Sequence, residues 1–238
     1  MDIRVPGIRH IIWDWNGTLL DDTWLTVHAA SAVLEAYGQP RTLTVGMWRE
    51  IATRPLIDTY VRLLGRQIDT EQWVSLAGVW LDAYRSRFPE VGLNSMAQLA
   101  LDEAAAAGMT QSIVSLNTQA ELSCEVTAFG ISGLFTHVSG SRESHGPDRS
   151  PKSAEVLSQL EDLGVDPRQA LMIGDMVDDA REAAEAGVRV LLVPTGDTSR
   201  ERLLASGYPV VDTLADAVRL ITGWDTGTVP MSHGRTSP

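Results

Sequence analysis

Apolar residues recur with two different periods along this chain, and the period changes many times between its ends. Short apolar runs bounded by turn residues are typical of buried strands, and apolar residues at every third or fourth position are typical of helices. The predicted strands cover residues 8–13, 111–116, 134–140, 169–175, 188–194 and 208–211. Helices are predicted over residues 22–38, 93–109, 118–130, 150–164, 178–187, 199–207 and 213–221. This alternation predicts an α/β fold, a doubly wound parallel sheet of the Rossmann type.

The stretch between the first and second predicted strands carries only helical patterns, at residues 44–53, 55–65 and 69–88. We therefore predict an all-helical cap over residues 23–92, inserted into an α/β core formed by residues 1–22 and 93–222. Because ligands bind beyond the carboxyl ends of parallel strands, a helical block inserted there is expected to act as a lid. Residues 223–238 are rich in Gly, Thr, Ser and Pro without a period, which predicts a disordered tail.

Composition excludes several classes of protein. The formal net charge of -12 argues against a nucleic-acid partner, because phosphate backbones are bound by clustered Lys and Arg. A helix needs about 18 to 20 consecutive apolar residues to span a bilayer, and no apolar run in this sequence is that long. The N-terminus lacks the pattern of a secretory signal. Cys124 is the only cysteine, so an internal disulfide is impossible, and we interpret it as a small packing residue. We expect a cytoplasmic monomer or homodimer that acts on a small molecule.

Polar residues follow several of the predicted strands at the point where each strand ends. The set comprises Asp14, Asn16, Ser115, Asn117, Asp175, Asp178 and Asp179. Lys152, the only lysine of the chain, opens the helix that precedes the 169–175 strand. Because the carboxyl ends of parallel strands share one edge of the sheet, we expect these side chains to converge.

Phosphoryl transfer through a covalent aspartyl-phosphate accounts for this set. A carboxylate such as Asp14 can attack phosphorus and divide one difficult displacement into two easier ones. The negative charge must then be offset by cations and hydrogen-bond donors. A magnesium ion held by Asp14, Asp175 and a backbone carbonyl, together with Lys152 and the Ser115 hydroxyl, would supply them. Gly17 would let the backbone approach the phosphoryl group closely.

The same residues resemble the four signature motifs of the haloacid dehalogenase-like (HAD) hydrolases, in order and spacing, across residues 8–195. The motifs are Asp14-x-Asn16-Gly17-Thr18, Ser115 after a strand, Lys152, and Gly174-Asp175-x-x-x-Asp179. The helical cap occupies the position used by the phosphoglycolate-phosphatase-like branch. The resemblance implies a Mg2+-dependent phosphatase with Asp14 as nucleophile. It also implies that Asp175 and the backbone carbonyl of Asn16 are metal ligands. Asp179 would orient the metal-bound water or Lys152.

Asn16 departs from the family pattern, in which most phosphatases carry a second Asp at this position. That Asp protonates the leaving oxygen and later deprotonates water, but an amide cannot titrate. Three interpretations stay open: a working phosphatase with an undemanding leaving group or a substitute acid, a ligand-binding regulatory protein impaired in catalysis, or an engineered trap. His145 and Arg142, in a polar loop before Lys152, are the candidate substitutes. Dehalogenation and carbon–phosphorus cleavage are disfavoured, since family members with those activities carry Tyr or Ala here.

The predicted cap adds one further candidate for phosphate binding. Arg54 precedes Pro55 where a helix is broken, and an arginine on such a loop can clamp a phosphate or carboxylate. With Thr18, Asn117 and His145 it completes the predicted phosphate-binding set. The aromatic residues of the cap, such as Trp48 and Trp73, are predicted to form its core. The leaving group stays open, and a flavodoxin-like receiver is a weaker alternative because it lacks an inserted lid.

Overall fold

Five parallel strands form the central sheet of the computed structural model, which describes residues 7–39, 43–141 and 152–223. The strands in chain order are β1 His10–Trp13, β2 Leu20–Asp21, β3 Gly92–Leu93, β4 Thr110–Thr118, β5 His137–Ser141, β6 Ala170–Gly174 and β7 Arg189–Leu192. The order across the sheet is β5-β4-β1-β6-β7, so β1 lies at the centre. This central position explains why Ile11, Ile12 and Trp13 of β1 are apolar although they point to both faces, as in strands covered on both sides.

Helices cover both faces of the sheet. They are α1 Thr23–Ala36, α2 Val45–Ile51, α3 Leu56–Leu64, α4 Thr70–Arg87, α5 Ala97–Ala106, α6 Gln119–Ala128, α7 Lys152–Leu163, α8 Val177–Glu185, α9 Arg200–Ala205 and α10 Leu214–Thr222. Successive side chains of β1 enter different clusters, since Ile11 and Trp13 pack with α5, α6 and α10. Ile12 packs on the other face, with α7 and α8. The predicted doubly wound α/β fold is confirmed.

Two details of the predicted strands are wrong. Residues 208–211 do not form a strand, because Val210 makes only an isolated bridge to Leu192 at the edge of the sheet. Conversely, β2 and β3 form a short antiparallel pair that the periodicity does not indicate. These strands are only two residues long, too short for an alternating pattern. They lie where the chain enters and leaves the block of helices α1–α4.

Helices α1–α4 pack around their own aromatic cluster. Trp48, Tyr60 and Trp73 are buried there, together with apolar residues of α1. The prediction that the aromatic residues of this block form its core is confirmed for these three. Trp24 differs, because it packs against the cluster on the sheet.

Three further expectations concern the ends, the loops and the cysteine. Cys124 is exposed on α6, so its interpretation as a packing residue is wrong. Helical periodicity could not predict whether Cys124 is buried, because the faces of α6 differ little in polarity. His145 and Arg142, and all but the first residue of the predicted tail 223–238, lie outside the described residues. Among the helices of the described ranges, none is long and apolar enough to cross a membrane.

Candidate active site

The register of the sheet brings three predicted residues to one edge. Trp13 at the end of β1 is level with Ile113 of β4 and Ile173 of β6. Asp14 is the next residue after Trp13, and Ser115 and Asp175 follow their own strand positions by two residues. The backbone N–H of Asp14 also donates to the carbonyl of Ile173 at 2.9 Å. Parallel pairing therefore fixes where all three side chains leave the sheet.

Lys152 lies between two buried carboxylates. Its Nζ donates to Asp14 Oδ1 and to Asp179 Oδ1, each at 2.6 Å. Only 1% of the lysine side chain is exposed, although it begins α7. The other Asp179 oxygen accepts the backbone N–H of Met176 at 3.0 Å, which fixes this carboxylate at the start of α8. The only lysine ammonium group of the chain is thus shared between the predicted nucleophile and Asp179.

Asp175 is held in a narrow space between two loops. Thr18 Oγ1 donates to Asp175 Oδ1 at 3.1 Å and more weakly to Asp14 Oδ2 at 3.3 Å. The backbone N–H of Asp197 donates to Asp175 Oδ2 at 2.6 Å. Gly17 has φ +73°, and a Cβ there would lie 2.9 Å from Asp175 Oδ2 and 2.9 Å from the Cα of Gly196. Only glycine fits this turn, on steric as well as conformational grounds.

Asp14, Asp175 and Asp179 form a candidate cation site. One carboxylate oxygen of each lies within 4.8 Å of the others, and all three residues are buried. Burial, followed by the charges of Asp14 and Asp179, raises the pKa of Asp175 well above its ordinary value. Burial and Asp179 also raise the pKa of Asp14. For Asp179 burial acts in the same direction, but Lys152 and Arg54 outweigh it and lower the pKa. Hard divalent cations prefer carboxylate oxygens as ligands, and such a cation would offset the negative charge of these three residues.

The side chain of Asn16 is tied into a buried network. Its Nδ2 donates to Asp22 Oδ2 at 2.8 Å and to the hydroxyl of Tyr84 at 3.3 Å. Asp22 also accepts from the Gly17 N–H at 2.7 Å and from Tyr84 at 2.6 Å. Asp22 precedes α1 at the capping position, yet its side chain makes no capping bond because it is engaged here. The amide therefore joins the nucleophile loop to α4 of the cap.

The predicted phosphate ligands from β4 are engaged with each other. Ser115 is buried, and its Oγ accepts the backbone N–H of Asn117 at 3.1 Å. The Asn117 amide donates to Glu125 Oε2 at 3.2 Å, and Trp15 donates to the same oxygen at 2.6 Å. Burial, the largest effect, raises the pKa of Glu125 to about 7. This carboxyl group is thus poised to titrate near neutral pH.

Arginines connect the cap to the loops of the site. Arg49 of α2 donates to the carbonyls of Gly196 at 2.7 Å and Thr195 at 3.1 Å. Arg54 donates its backbone N–H to Asp178 Oδ2 at 3.2 Å. Burial acts to lower the pKa of Arg54, but the carboxylates of Asp179, Asp14, Asp175 and Asp197 raise it. Its guanidinium group therefore belongs to the electrostatic environment of the candidate cation site.

A cavity of about 770 Å³ lies between the cap and the core. The core contributes Asn16, Asn117 and Lys152 to its lining, and the cap contributes Arg54. The cap also contributes aliphatic residues, Arg85 and six aromatic residues: Trp48, Tyr60, Trp73, Trp80, Tyr84 and Phe88. The position and size match those of small-molecule sites in open α/β sheets.

The structure brings most of the predicted site residues together, and it adds residues that the sequence did not indicate. Those brought together are Asp14, Asn16, Gly17, Thr18, Arg54, Ser115, Asn117, Lys152, Asp175 and Asp179. His145 lies outside the described residues. The additions are Asp22, Tyr84, Glu125, Gly196 and Asp197. A signal existed for the last two, because they follow β7 just as Asp14 and Asp175 follow their strands.

Comparison with known proteins agrees with this geometry. The model of a family described as haloacid dehalogenase-like hydrolase matches residues 11–193. The chain is 28% identical over 201 residues to a phosphoglycolate phosphatase of Caulobacter vibrioides, covering 79% of this chain and 80% of that protein. It is 26% identical over 232 residues to a phosphoglycolate phosphatase of Thiobacillus denitrificans, covering 90% of this chain and 96% of that one.

A solved structure shares the fold. A hydrolase of Streptococcus pneumoniae, described as a haloacid dehalogenase-like family protein, superposes with a TM-score of 0.74 at 20% sequence identity. The match covers 89% of this chain and 97% of that one. Identity at this level is evidence for the architecture, including the inserted helices, and carries no inference about substrate.

Proposed function

Because the chain belongs to the haloacid dehalogenase-like hydrolase family, we propose that it hydrolyses the phosphate monoester of a small molecule through an aspartyl-phosphate on Asp14. The family and the phosphoglycolate phosphatase relatives indicate phosphatase activity. The observation that carries the mechanism is the buried pair of Lys152 Nζ and Asp14 Oδ1, which lie 2.6 Å apart. Lys152 also lines the cavity.

The reaction proceeds in two displacements at phosphorus. In the first, Asp14 Oδ2 attacks, the bond between phosphorus and the leaving oxygen breaks, and the alcohol departs after taking a proton. Oδ2 is the freer oxygen, since Lys152 holds Oδ1 while Thr18 gives Oδ2 only a 3.3 Å bond. In the second, water attacks phosphorus, loses a proton, and releases phosphate and the Asp14 carboxylate. Lys152, Arg54, Ser115 and Asn117 supply positive charge and donors to the phosphoryl oxygens.

Mg2+ fits the carboxylates of the candidate cation site. Asp14, Asp175, Asp179 and the backbone carbonyl of Asn16 would hold it. When bound, the ion neutralises charge between the anionic nucleophile and the anionic substrate. The raised pKa of Asp175 supports this assignment, because burial and then the charges of Asp14 and Asp179 raise it, and a bound cation would offset both effects.

Asn16 places a limit on the first displacement. It holds Asp22 and Tyr84 in position but has no proton to lose, so the leaving alcohol needs another acid or none. Among the described residues that line the cavity, burial raises the pKa of both Glu125 and Asp197 to about 7. Either carboxyl group carries a proton part of the time at neutral pH, the range that general acid catalysis requires.

The test is phosphate release in Mg2+ by the natural chain and by Asn16→Asp, compared on alkyl phosphates and on p-nitrophenyl phosphate. We expect the natural chain to hydrolyse both types. Asn16→Asp should raise kcat on alkyl phosphates by about tenfold or more, because it restores a general acid, and should change kcat little on p-nitrophenyl phosphate, whose leaving group needs no proton. Thermal melting controls for repulsion between the new carboxylate and Asp22.

The two other outcomes separate the alternatives. If the natural chain binds phosphate esters, seen as a raised Tm, but releases none until Asn16 becomes Asp, the chain is a regulatory binding protein. Equal gains by Asn16→Asp on both kinds of ester would contradict the role assigned to the missing proton donor.

We expect Mg2+ to change how the stability of the chain depends on pH. Burial raises the pKa of Asp175, so the metal-free folded chain retains a proton that the unfolded chain loses above about pH 4. A raised folded pKa contributes stability below the unfolded pKa, and this contribution is lost as the pH rises. The free energy of unfolding in chelator should therefore fall as the pH rises above about 4, and Mg2+ should restore most at the higher pH.

Urea titrations with EDTA or with Mg2+ measure this difference, and Asp175→Asn is the control in which the Mg2+ effect should be small. Parallel pH profiles with and without the ion would show that these carboxylates do not bind it.

A further inference from the structure

The loop that connects β7 to α9 lies directly against the candidate cation site. The backbone N–H of Asp197 donates to Asp175 Oδ2 at 2.6 Å, and a Cβ on Gly196 would collide with the same oxygen. Thr195 Oγ1 donates to the carbonyl of Gly17 at 2.7 Å, so the loop is also bonded to the turn that follows the predicted nucleophile. The position of this loop therefore helps to fix one carboxylate of the candidate cation site.

Arg49, in α2 of the cap, holds this loop through two backbone carbonyls. Its Nε donates to the carbonyl of Gly196 at 2.7 Å, and its Nη2 donates to the carbonyl of Thr195 at 3.1 Å. A guanidinium group is planar and presents its donors in a rigid fork, so two bonds to neighbouring carbonyls define the orientation of the loop. The cap thus contacts the loop at the residues that precede Asp197.

One peptide group joins Arg49 to Asp175. The carbonyl of Gly196, which accepts from Arg49, and the N–H of Asp197, which donates to Asp175, belong to the same peptide. Because a peptide group is planar and rigid, fixing its carbonyl also fixes the direction of its N–H. Hydrogen bonds at the two ends of such a group also polarise and strengthen each other. A continuous path of hydrogen bonds therefore runs from the cap to the candidate cation site.

A second arginine makes the reciprocal contact from the core to the cap. Arg202 of α9 donates to the carbonyls of Arg49 at 2.6 Å and of Ala52 at 3.0 Å. These carbonyls lie at the C-terminal end of α2, where backbone oxygens lack helical partners and favour a cation. The backbone N–H of Ser199 also donates to the Arg49 carbonyl, at 3.3 Å. Because α2 and the core are bonded in both directions, the position of α2 and that of the loop depend on each other.

We propose that Arg49 is a positioning residue for the candidate cation site, and that the docking of α2 and the binding of Mg2+ are coupled through the Gly196–Asp197 peptide. This proposal rests on the assignment of Mg2+ to that site under the proposed function. Arg49 is not among the described residues that line the cavity, and it acts by holding the peptide that orients Asp175. Coupling between two sites is reciprocal, so a bound ion also strengthens the docking of α2. Since α2 contributes Trp48 to the cavity lining, the cavity is enclosed most firmly when the ion is bound.

The first experiment measures the Kd of Mg2+ by isothermal titration calorimetry, without substrate, for the natural chain and for Arg49→Met. We expect Arg49→Met to raise the Kd by about tenfold, the lower end of the range for residues that orient metal ligands. Arg62→Met is the matched control. Arg62 is an exposed arginine of α3 whose side chain makes a 3.4 Å bond to the carbonyl of Ile51 within the cap, and its loss should leave the Kd unchanged.

The second experiment measures amide hydrogen exchange in EDTA and in saturating Mg2+. In the natural chain, Mg2+ should slow exchange around Asp175 and also in α2, there by up to about tenfold, since the coupling has the same size in both directions. In Arg49→Met saturated with Mg2+, the slowing around Asp175 should remain and the slowing in α2 should be lost. A merely structural role of Arg49 would instead raise exchange in α2 equally with and without the ion.

The outcomes separate this inference from the proposed function. If Arg49→Met binds Mg2+ as tightly as the natural chain, or if Mg2+ leaves the exchange of α2 in the natural chain unchanged, the coupling is overturned and the assignment of the ion stands. If the natural chain binds no Mg2+, the assignment and the coupling are both overturned. Should Arg49→Met fail to fold, the exchange of α2 in the natural chain decides alone. Phosphate release by the natural chain, measured separately, decides the phosphatase function.

Discussion

Asp14→Asn is expected to lower phosphate release from every substrate by about 10⁴-fold or more, the loss typical when a covalent nucleophile is removed. The amide cannot form the acyl phosphate, because its nitrogen and carbonyl oxygen are poor nucleophiles toward phosphorus. It still fills the same space and can accept from Lys152 through its carbonyl oxygen. The effect should therefore fall on kcat and not on folding. Initial rates of phosphate release in Mg2+ measure it.

Asp21→Asn is the matched control for this variant. Asp21 is an exposed carboxylate in β2, seven positions along the same loop region, and its loss should leave kcat unchanged. Thermal melting in EDTA should show that Asp14→Asn is at least as stable as the natural chain, because Asp14 carries its charge at the expense of desolvation. Turnover that persists in Asp14→Asn would mean that another carboxylate attacks phosphorus.

Lys152→Met is expected to abolish turnover and to destabilise the metal-free fold by about 3 to 5 kcal/mol, the range for removing one partner of a buried ion pair. The substitution keeps an unbranched side chain that is one atom shorter, but Asp14 and Asp179 then face each other without the ammonium group. Urea unfolding in EDTA measures the loss. Part of it should return in Mg2+, which offers the same carboxylates another cation.

Arg168→Met is the matched control for the buried lysine. Arg168 also pairs with an aspartate at 2.6 Å, Asp166, but 84% of its side chain is exposed. Its removal should leave the free energy of unfolding nearly unchanged, since solvent screens such pairs. If Lys152→Met were no more destabilising than Arg168→Met, the buried ammonium group would not be offsetting the charge of the site.

The sequence was sufficient to predict which residues come together in the candidate site. The period of the apolar residues defines the strands, and the strand ends define Asp14 and Asp175 before any distance is known. Lys152 is the sharper case, since it lies 138 positions from Asp14 and yet 2.6 Å away. The order of the motifs predicted that proximity, because parallel pairing leaves few ways to arrange these elements.

What the sequence could not predict is the direction of side chains with several possible partners. Asp22 is a natural helix cap by its position, but Tyr84, 62 residues later, draws its carboxylate into the cap interface. Asn16 suits a simple turn, yet its amide is bonded to both of them. Cys124 lies on a helix whose faces differ little in polarity. Tertiary packing determines the partners and the burial of these side chains, and the local sequence pattern does not indicate them.

The contact between Gly17 and Gly196 bears on how this protein can diversify. A Cβ on either would collide with Asp175, so any larger residue at these two positions would displace this carboxylate. Trp48, Tyr60 and Trp73 lie in α2, α3 and α4, and none of these collisions constrains those helices. We therefore expect substitutions in the inserted helices to be tolerated more readily than substitutions at these two glycines.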